Sequence, residues 1–540
     1  MLSYFFPLRN IFHCTDKVSE NKFTGMSRIK NVGSLIKNGI MLSVVSLILR
    51  GANVLFGAYV SENIGAAGMG LYSLVGSVFA PAAALSSAGI SLAVSRLVAE
   101  ADGKTSKHVL RCCIAYALTV SLAVAAILVS VSGHIFDDPA AGNLLTTLAL
   151  SLPFSALSSA FAGYFIGVRR VSRNAASALF EQIFRMGVTV LTIRALAERS
   201  PSACLAAVVI SSALTDAASC LLSALLCRRD MRKHTVPQCR PAGLARRVLG
   251  ITVPVSASSF LRSGLVAVEH VLVPKGMIKN GASYDAAMAS YGTLSGMAMP
   301  IIMFPASFLY SFTGLLIPEF AEANGRGDRA SVRSTACAAI RAVIIFSVGA
   351  SGLILGFSRD IGLSVYGSAE AGKYIAVMAP LIPVMYLDTT VDSVLKGIGE
   401  QVWTMKVNIL DAAISVLAVW LLVPRLGLYG YICVIFISEV VNFGFSLMRL
   451  VKVTEIKAHL AETAFVPLVS VSLSVLAVKA ICGLMSLSPT VTAVFGITAS
   501  AGIYFLLLVV LGVIPKNKIT GLVGKTRKSA DQEQEEARQC

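Results

Sequence analysis

Charged residues are scarce in this 540-residue chain, and their scarcity indicates its class. Asp, Glu, Lys and Arg make up 14% of the residues and hydrophobic residues 55%, whereas soluble domains carry about 25% charged residues. A chain this long and this apolar cannot bury its hydrophobic side chains in a water-soluble globule. The composition excludes a soluble enzyme, a nucleic-acid-binding protein and a secreted scaffold, and it predicts an integral membrane protein.

Motifs for catalysis, metal binding and disulfide formation are also missing. The eleven cysteines are scattered through apolar segments, with no C-x-x-C pair and no clustered histidine, so we expect small core residues rather than metal ligands. No nucleophile–base motif and no phosphate-binding glycine loop stands out. We therefore predict no catalytic residue, no metal site, no cofactor and no enzyme activity.

The N-terminus lacks the features of a secretory signal. Residues 1–7 are a short aromatic run before Arg9, without a long apolar stretch and a small-residue cleavage site. Met26 is an alternative start, and we expect residues 1–33 to form a cytoplasmic tail.

Apolar stretches recur from residue 34 to residue 515. A transmembrane helix needs about 20 mainly apolar residues, and cutting the chain at glycine, proline, asparagine and charge clusters gives roughly fourteen such spans. We predict an all-α polytopic membrane protein with two six-helix lobes and two further helices. The predicted segments are an N-terminal tail (1–33), an N-lobe (34–228), a cytoplasmic linker (229–242), a C-lobe (243–454), helices 13 and 14 (455–515) and a C-terminal cytoplasmic tail (516–540).

The loops that join these spans differ in their content of Lys and Arg. Alternate loops divide these residues 35 to 7, and cytoplasmic loops hold the excess in membrane proteins. We therefore expect a multi-pass protein of the cytoplasmic membrane with both termini in the cytoplasm. The same asymmetry accounts for the net charge of +17 without a nucleic-acid partner.

Two pairs of short motifs indicate an internal repeat. SLILRG at 46–51 is matched by SSFLRS at 258–263, and AEADGK at 99–104 is matched at a slightly longer separation by AEANGR at 321–326. Because the order is kept and six spans separate the copies, a duplicated six-helix unit is predicted, with a substrate path between the halves. The alternative is a chance similarity between apolar helices.

Three arginines fall near the middle of predicted spans: Arg50, Arg185 and Arg262. Each costs about 2.5–3.5 kcal/mol in a membrane unless it is solvated or paired, so we expect all three to face a hydrated cavity. Glu181 precedes Arg185 by one helical turn, which leaves a structural ion pair as an alternative. Arg50 and Arg262 lack such an acid in their own spans, and guanidinium groups suit phosphate oxygens.

Aspartates within the spans are candidates for coupling to a cation. Asp388 and Asp392 share one helical face, and Asp216 lies in the sixth span; sodium or proton coupling is one hypothesis. For Asp388 and Asp392 the alternative interpretation is a solvated helix end, because Lys396 lies one turn beyond Asp392.

Prolines inside spans are candidate hinges. Pro81 lies in the second span, and Pro300 and Pro305 lie in the eighth, the corresponding span of the second half. Kinked helices at equivalent places are typical of alternating-access carriers, although membrane helices also tolerate proline without any such role.

Short motifs along most of residues 34–515 add a family resemblance. They are GMGLY (68–72), AGI (88–90), VSRL (94–97), EQIFR (181–185), SGMAMP (295–300), LIPE (316–319), KGIG (396–399) and PRLGLYG (424–430). This ordered set resembles the stage V sporulation protein B-like polysaccharide biosynthesis proteins of the multidrug/oligosaccharidyl-lipid/polysaccharide (MOP) exporter superfamily.

The resemblance implies fourteen helices, two lobes in a V around a central cavity, and outward flipping of undecaprenyl-diphosphate-linked saccharides for spore-cortex or envelope polysaccharide. It implies that Arg50 matches a first-helix cavity arginine of the related lipid II flippases. Those flippases carry two further arginines for which Phe56 and the region of Gly296 offer no counterpart, which weakens the implication of lipid II itself.

Three other functions remain open. A cation-coupled multidrug exporter of the same superfamily would use Asp216, Asp388 and Asp392 to hold a cationic substrate, and a non-transporting membrane scaffold or a membrane-embedded glycan transferase is a rival of another class. For the flippase, the expected partners are the lipid-linked saccharide, membrane lipids and glycan polymerases or transferases. We expect a monomer, energised by sodium, protons or the membrane potential.

Overall fold

The structure is a computed structural model. It describes residues 32–100, 106–136, 138–168, 170–196, 200–231, 243–456, 460–485 and 487–513. The predicted C-terminal tail, nearly all of the predicted N-terminal tail and most of the predicted linker lie outside these residues. Every regular element in the described part is helical, which confirms the predicted all-α polytopic membrane fold.

The α-helices have these bounds: α1 Val32–Glu100, α2 Ser106–Ile135, α3 Pro139–Ala149, α4 Leu152–Gly167, α5 Val171–Leu196, α6 Pro201–Met231, α7 Leu244–Lys279, α8 Tyr284–Gly292, α9 Met299–Met303, α10 Ala306–Gly325, α11 Arg329–Gly356, α12 Ser358–Tyr366, α13 Ala369–Met378, α14 Ile382–Gly397, α15 Gln401–Leu426, α16 Leu428–Thr454, α17 Leu460–Leu484 and α18 Pro489–Val510.

The first helix is too long to be a single membrane crossing. Its 69 residues correspond to about 100 Å at about 1.5 Å per residue, whereas the hydrocarbon core is about 30 Å thick. Gly65 leaves the helical conformation, with φ 72° and ψ 175°, and divides α1 into a first arm (32–64) and a second arm (66–100). The described residues contain 13 candidate spans, with both arms counted in one of them. The number fourteen stays a prediction that counts the arms separately.

The predicted hinge prolines lie in two different backbone settings. Pro81 is inside the uninterrupted second arm of α1. In the second half, a π-helical stretch at Thr293–Ala298 separates α8 from α9, Pro300 is in the first turn of α9, and Pro305 caps α10. The equivalent helices are therefore broken in the second half and continuous in the first, and the hinge role stays a prediction.

Buried apolar residues fall into two halves. Two large clusters come almost wholly from residues 60–227, and the largest cluster comes almost wholly from residues 273–508. The last two helices pack on the second half, where Tyr504 in α18 donates a hydrogen bond to the carbonyl oxygen of Ile345 in α11 at 2.7 Å.

The second arm of α1 contacts the second half at two places. Near its C-terminal end, Glu100 pairs with Arg247 of α7 at 2.5 Å, and the amide of Gly89 donates to Ser256 Oγ at 3.2 Å. We call these four residues the ionic seam. At this end of α1 the chain is rich in Lys and Arg, and we call the corresponding end of each half its basic end.

The other contact involves two glycines. Near the start of the second arm, Gly70 lies against Gly292 and the carbonyl of Met288 in α8, so closely that a Cβ atom on either glycine would overlap backbone atoms of the opposite helix. We call these three residues the glycine seam. Gly70 and Gly292 have the same separation along the chain as the second pair of repeated motifs. Equivalent positions of the two halves therefore meet each other here.

Candidate functional site

A first polar cluster joins α5 and α6 within the membrane-spanning part of the first half. The guanidinium of Arg185 pairs with Glu181 at 2.8 Å and lies 4.0 Å from Asp216, while Ser219 Oγ donates to Glu181 at 3.1 Å. Two carboxylates thus surround one arginine. The arrangement includes the ion pair that the one-turn spacing of Glu181 and Arg185 allows.

Arg50 lies on the first arm of α1 between this cluster and the second half. Its side chain is exposed. One turn further, Asn53 accepts a hydrogen bond from Gln182 of α5 at 2.5 Å, and a Cβ atom on Gly51 would lie 3.7 Å from the ring of Phe304 in the second half. Arg50 is therefore near both Glu181 and the boundary between the halves.

A second polar cluster joins α7, α15 and α16. A cavity of about 160 Å³ is lined by Arg262, Glu269, Asn408, Asp411, Ser438 and Glu439, among others. Ser438 Oγ donates to Asp411 at 2.6 Å. The cavity brings three carboxylates and one exposed arginine together inside the second half, and Arg50 does not line it.

The predicted cation-coupling aspartates are divided between the halves. Asp388 accepts from Asn442 at 3.1 Å, and Asp392 is buried and accepts from Ser446 at 3.2 Å and from Asn408 at 3.4 Å. Because Asn408 also lines the cavity of the second cluster, Asp392 is connected to that cluster. Asp216 belongs to the first cluster instead.

The two clusters are equivalent under the internal repeat. Ser219 donates to Glu181 in the first half, and Ser438 donates to Asp411 in the second. The separation of the two serines along the chain falls between those of the two pairs of repeated motifs, and the separation of the two acids is slightly longer. Arg50 and Arg262 are already paired by the repeated motif, so each half carries one arginine of that motif and one serine-bound carboxylate.

A second pair of contacts repeats these separations with the charges reversed. At the basic end of the first half, the buried Asp230 pairs with Arg170 and, at 2.6 Å, with Arg173. In the second half Glu400 pairs with Arg449 at 2.8 Å. The separation of Arg170 from Glu400 equals that of the two serine-bound acids, and the separation of Asp230 from Arg449 equals that of the two serines. Both halves therefore have an ion pair between equivalent segments, which we call the clamp. The acid and the base have exchanged positions between the two halves.

Asp230→Asn is expected to destabilise the first half. The Asp230 side chain is only 2% exposed, whereas Arg170 and Arg173 are 41% and 39% exposed, so the variant leaves no buried charge and loses charge-assisted hydrogen bonds that contribute about 1.5–3 kcal/mol. Thermal unfolding of the detergent-solubilised protein measures the effect, with Asp285→Asn as the control, since Asp285 is an exposed residue in the first turn of α8. Equal melting temperatures in the two variants would contradict the clamp.

Three acids of the second cluster were not among the residues predicted from the sequence: Glu269, Asp411 and Glu439. The signal existed for Asp411, which is the only carboxylate in α15 and lies near the middle of an apolar span, where an ionisable residue is costly and indicates function. Among the described residues, no group of three or more His, Cys, Asp or Glu side chains is arranged to hold a metal ion.

Comparison with known proteins identifies the family. Residues 35–324, more than half of the chain, match the family described as polysaccharide biosynthesis protein, and residues 281–421 match the MatE family. The chain belongs to the polysaccharide biosynthesis protein family. Stage V sporulation protein B of Bacillus subtilis (strain 168) is 24% identical over 90% of this chain and 97% of that protein, and sporulation protein YkvU of the same strain is 22% identical over 64% and 78%.

Solved structures of other membrane proteins show a similar fold. The lipid II flippase MurJ in an inward closed conformation superposes with a TM-score of 0.62 at 12% identity, covering 88% of this chain and 98% of that one. A multidrug resistance MATE family transporter of the MOP superfamily in an inward-facing conformation gives 0.58 at 16% identity, covering 76% and 96%. This polysaccharide biosynthesis protein thus shares its fold with a flippase and with a multidrug transporter.

Proposed function

We propose that the protein flips an undecaprenyl-diphosphate-linked saccharide from the cytoplasmic to the outer leaflet of the cell membrane by alternating access. The main support for the flippase proposal is the equivalent placement of Arg50 and Arg262. Each lies beside a polar cluster, one in each half, within a membrane-spanning helix. An arginine retained in both copies of a duplicated bundle fits an anionic substrate that is passed between the halves.

The chemistry of a diphosphate matches these two arginines. A guanidinium donates two parallel hydrogen bonds to phosphate oxygens and keeps its charge in a membrane protein. Moving two negative charges outward across a membrane potential of about 100 mV is favoured by about 4–5 kcal/mol when the cytoplasm is negative. Binding and a share of the driving force would follow from the same charge on the substrate.

On this proposal the transported lipid-linked saccharide is not lipid II. The resemblance places a further cavity arginine of lipid II flippases in the region of Gly296. Here a Cβ atom on Gly296 would lie 2.9 Å from Met69 Cε and 3.2 Å from Met69 Cβ, so an arginine at 296 would have to displace the side chain of Met69. We therefore expect a lipid-linked saccharide with a different headgroup.

A flipping assay in proteoliposomes tests the proposal. Fluorescent undecaprenyl-diphosphate saccharides of defined composition are reconstituted with the wild-type protein, and the fraction reaching the outer leaflet is read by a membrane-impermeant quencher. Translocation faster than in protein-free vesicles is expected for at least one saccharide. No acceleration for any lipid-linked saccharide, with correctly folded protein, would refute the flippase.

A cation-coupled exporter is the second candidate, because the second cluster holds three carboxylates around one arginine and residues 281–421 match the MatE family. On this alternative, cationic dye would leave loaded vesicles when an inward sodium or proton gradient is imposed. Asp411→Asn is expected to abolish that efflux, while Asp285→Asn leaves it intact. Gradient-independent flipping of an anionic lipid by Asp411→Asn would exclude this candidate.

The proposal also includes the remaining expectations from the sequence. Both termini are proposed to lie in the cytoplasm and the membrane is proposed to be the cytoplasmic membrane, with glycan polymerases or transferases acting before and after the flippase. The protein is proposed to act as a monomer and without enzyme activity of its own.

A further inference from the structure

A cavity at the basic end of the first half lies between α2 and α6. It has a volume of about 190 Å³ and is lined by Lys107, Arg111, Arg228 and Met231. We call it the basic cavity. Three of its four lining residues carry a positive charge, and the cavity is open to the surface of the bundle.

Few acids are near enough to balance these charges. Helices α2 and α4 contain no Asp or Glu, and α6 contains only Asp216 and Asp230. Asp230 is buried between Arg170 and Arg173, and Asp216 is twelve residues before Arg228, about 18 Å along the helix. Within the described part of the chain, neither Arg111 nor Arg228 forms an ion pair with a carboxylate. The cavity therefore has a net positive charge.

Exposed leucines extend from the basic cavity toward the middle of the membrane. On α2, Leu118 and Leu122 follow Arg111 by two and three helical turns, and on α6, Leu221 and Leu225 precede Arg228 by two turns and one. These spacings place each pair on the same helical face as its arginine. All four leucines are exposed, from 39% for Leu118 to 62% for Leu221. Cationic groups at the end of an apolar, lipid-facing surface match the layout of a phospholipid.

We propose that the basic cavity binds the phosphate headgroup of an anionic phospholipid of the cytoplasmic leaflet, with the acyl chains lying along the exposed leucines. Basic pockets between helices on the cytoplasmic side are suited to anionic lipid headgroups. The cavity is separate from both polar clusters, so this lipid is a bound component of the membrane rather than the transported molecule. The binding does not depend on the proposed function.

Lipid retention measures this binding. The wild-type protein and Arg111→Gln/Arg228→Gln are reconstituted in nanodiscs of phosphatidylcholine with one quarter phosphatidylglycerol, extracted into mild detergent, and weighed by native mass spectrometry. The double variant is expected to hold phosphatidylglycerol about 30-fold more weakly, at about 1 kcal/mol for each basic residue near the membrane surface. Arg329→Gln/Arg333→Gln is the control, because it removes two exposed arginines from the basic end of the second half.

Two arms distinguish a phospholipid from other phosphates. Soluble glycerol 3-phosphate and undecaprenyl diphosphate are each added as competitors, and neither is expected to displace phosphatidylglycerol. Equal retention by the cavity variant and the control variant would overturn the proposal. Equal retention of phosphatidylglycerol and phosphatidylcholine by the wild type, or displacement by either competitor, would also overturn it.

Discussion

Arg262→Gln is expected to lower the rate of lipid-linked saccharide flipping by about two orders of magnitude. A hydrogen bond to a charged group contributes about 1.5–3 kcal/mol, and a bidentate guanidinium–phosphate contact lies at the upper end of that range. Glutamine removes the charge and keeps a polar side chain in the cavity of the second cluster. Arg50→Gln is expected to have a similar effect, because Arg50 is the equivalent residue of the first half.

Initial flipping rates in proteoliposomes, normalised to the amount of reconstituted protein, provide the measurement. Arg194→Gln is the matched control, since Arg194 is an exposed arginine in the last turn of α5 and away from both clusters. Arg262→Lys is expected to fall between wild type and Arg262→Gln, because lysine keeps the charge and loses the planar fork. Wild-type rates for both Arg50→Gln and Arg262→Gln would remove the arginines from the mechanism.

Local features of the site were accessible from the sequence, because they depend on one helix. The contact of Arg185 with Glu181 needs only the one-turn spacing on α5. The equivalence of Arg50 and Arg262 needs only two pairs of short motifs at similar separations. In both cases the information lies within a few neighbouring residues, so the pattern can be found before the helices are packed.

Contacts between helices were not accessible in this way. Asp230 meets Arg173 across 57 residues, and Asn442 meets Asp388 across 54, and nothing in either local pattern selects one partner among the many helices of the bundle. Asp411 was missed for a different reason. Its position in an apolar span was a signal, but it has no charged neighbour on its own face of α15, and its partners Arg262 and Glu439 are found only when they line the same cavity.

The fold likewise has features that the sequence predicts and features that depend on contacts between helices. Apolar runs predict the helices, since about 20 such residues suffice to cross a membrane. The sequence predicted two separate spans where α1 lies, but it did not identify Gly65 as the residue that divides them, because the left-handed backbone conformation of Gly65 depends on how the two arms of α1 pack. The importance of Gly70 was likewise hidden, since a glycine in an apolar helix gives no sign of what lies against it.

Gly70→Val is expected to separate the glycine seam and to shift the protein toward a state in which this end of the bundle is open. A valine side chain at 70 would overlap the carbonyl group of Met288 and the backbone of Gly292. Overpacking of this kind costs about 1–3 kcal/mol, so the closed state would become about 5- to 150-fold less populated. Because an alternating-access carrier must close this end once in each cycle, the flipping rate is expected to fall by a similar factor.

Hydrogen exchange measured by mass spectrometry reports whether the glycine seam opens. Peptides covering residues 66–75 and 284–297 are expected to exchange faster in Gly70→Val, and equally fast in Gly292→Val, because a Cβ atom at 292 would overlap the carbonyl oxygen of Ala66. Gly76→Val is the matched control, since it adds the same side chain to the same arm of α1 at a position with open space around it. If Gly70→Val and Gly76→Val showed the same exchange and the same flipping rate, the two glycines would not form a gate. If both glycine-seam variants exchanged faster while flipping stayed at the wild-type rate, the seam would open without limiting transport.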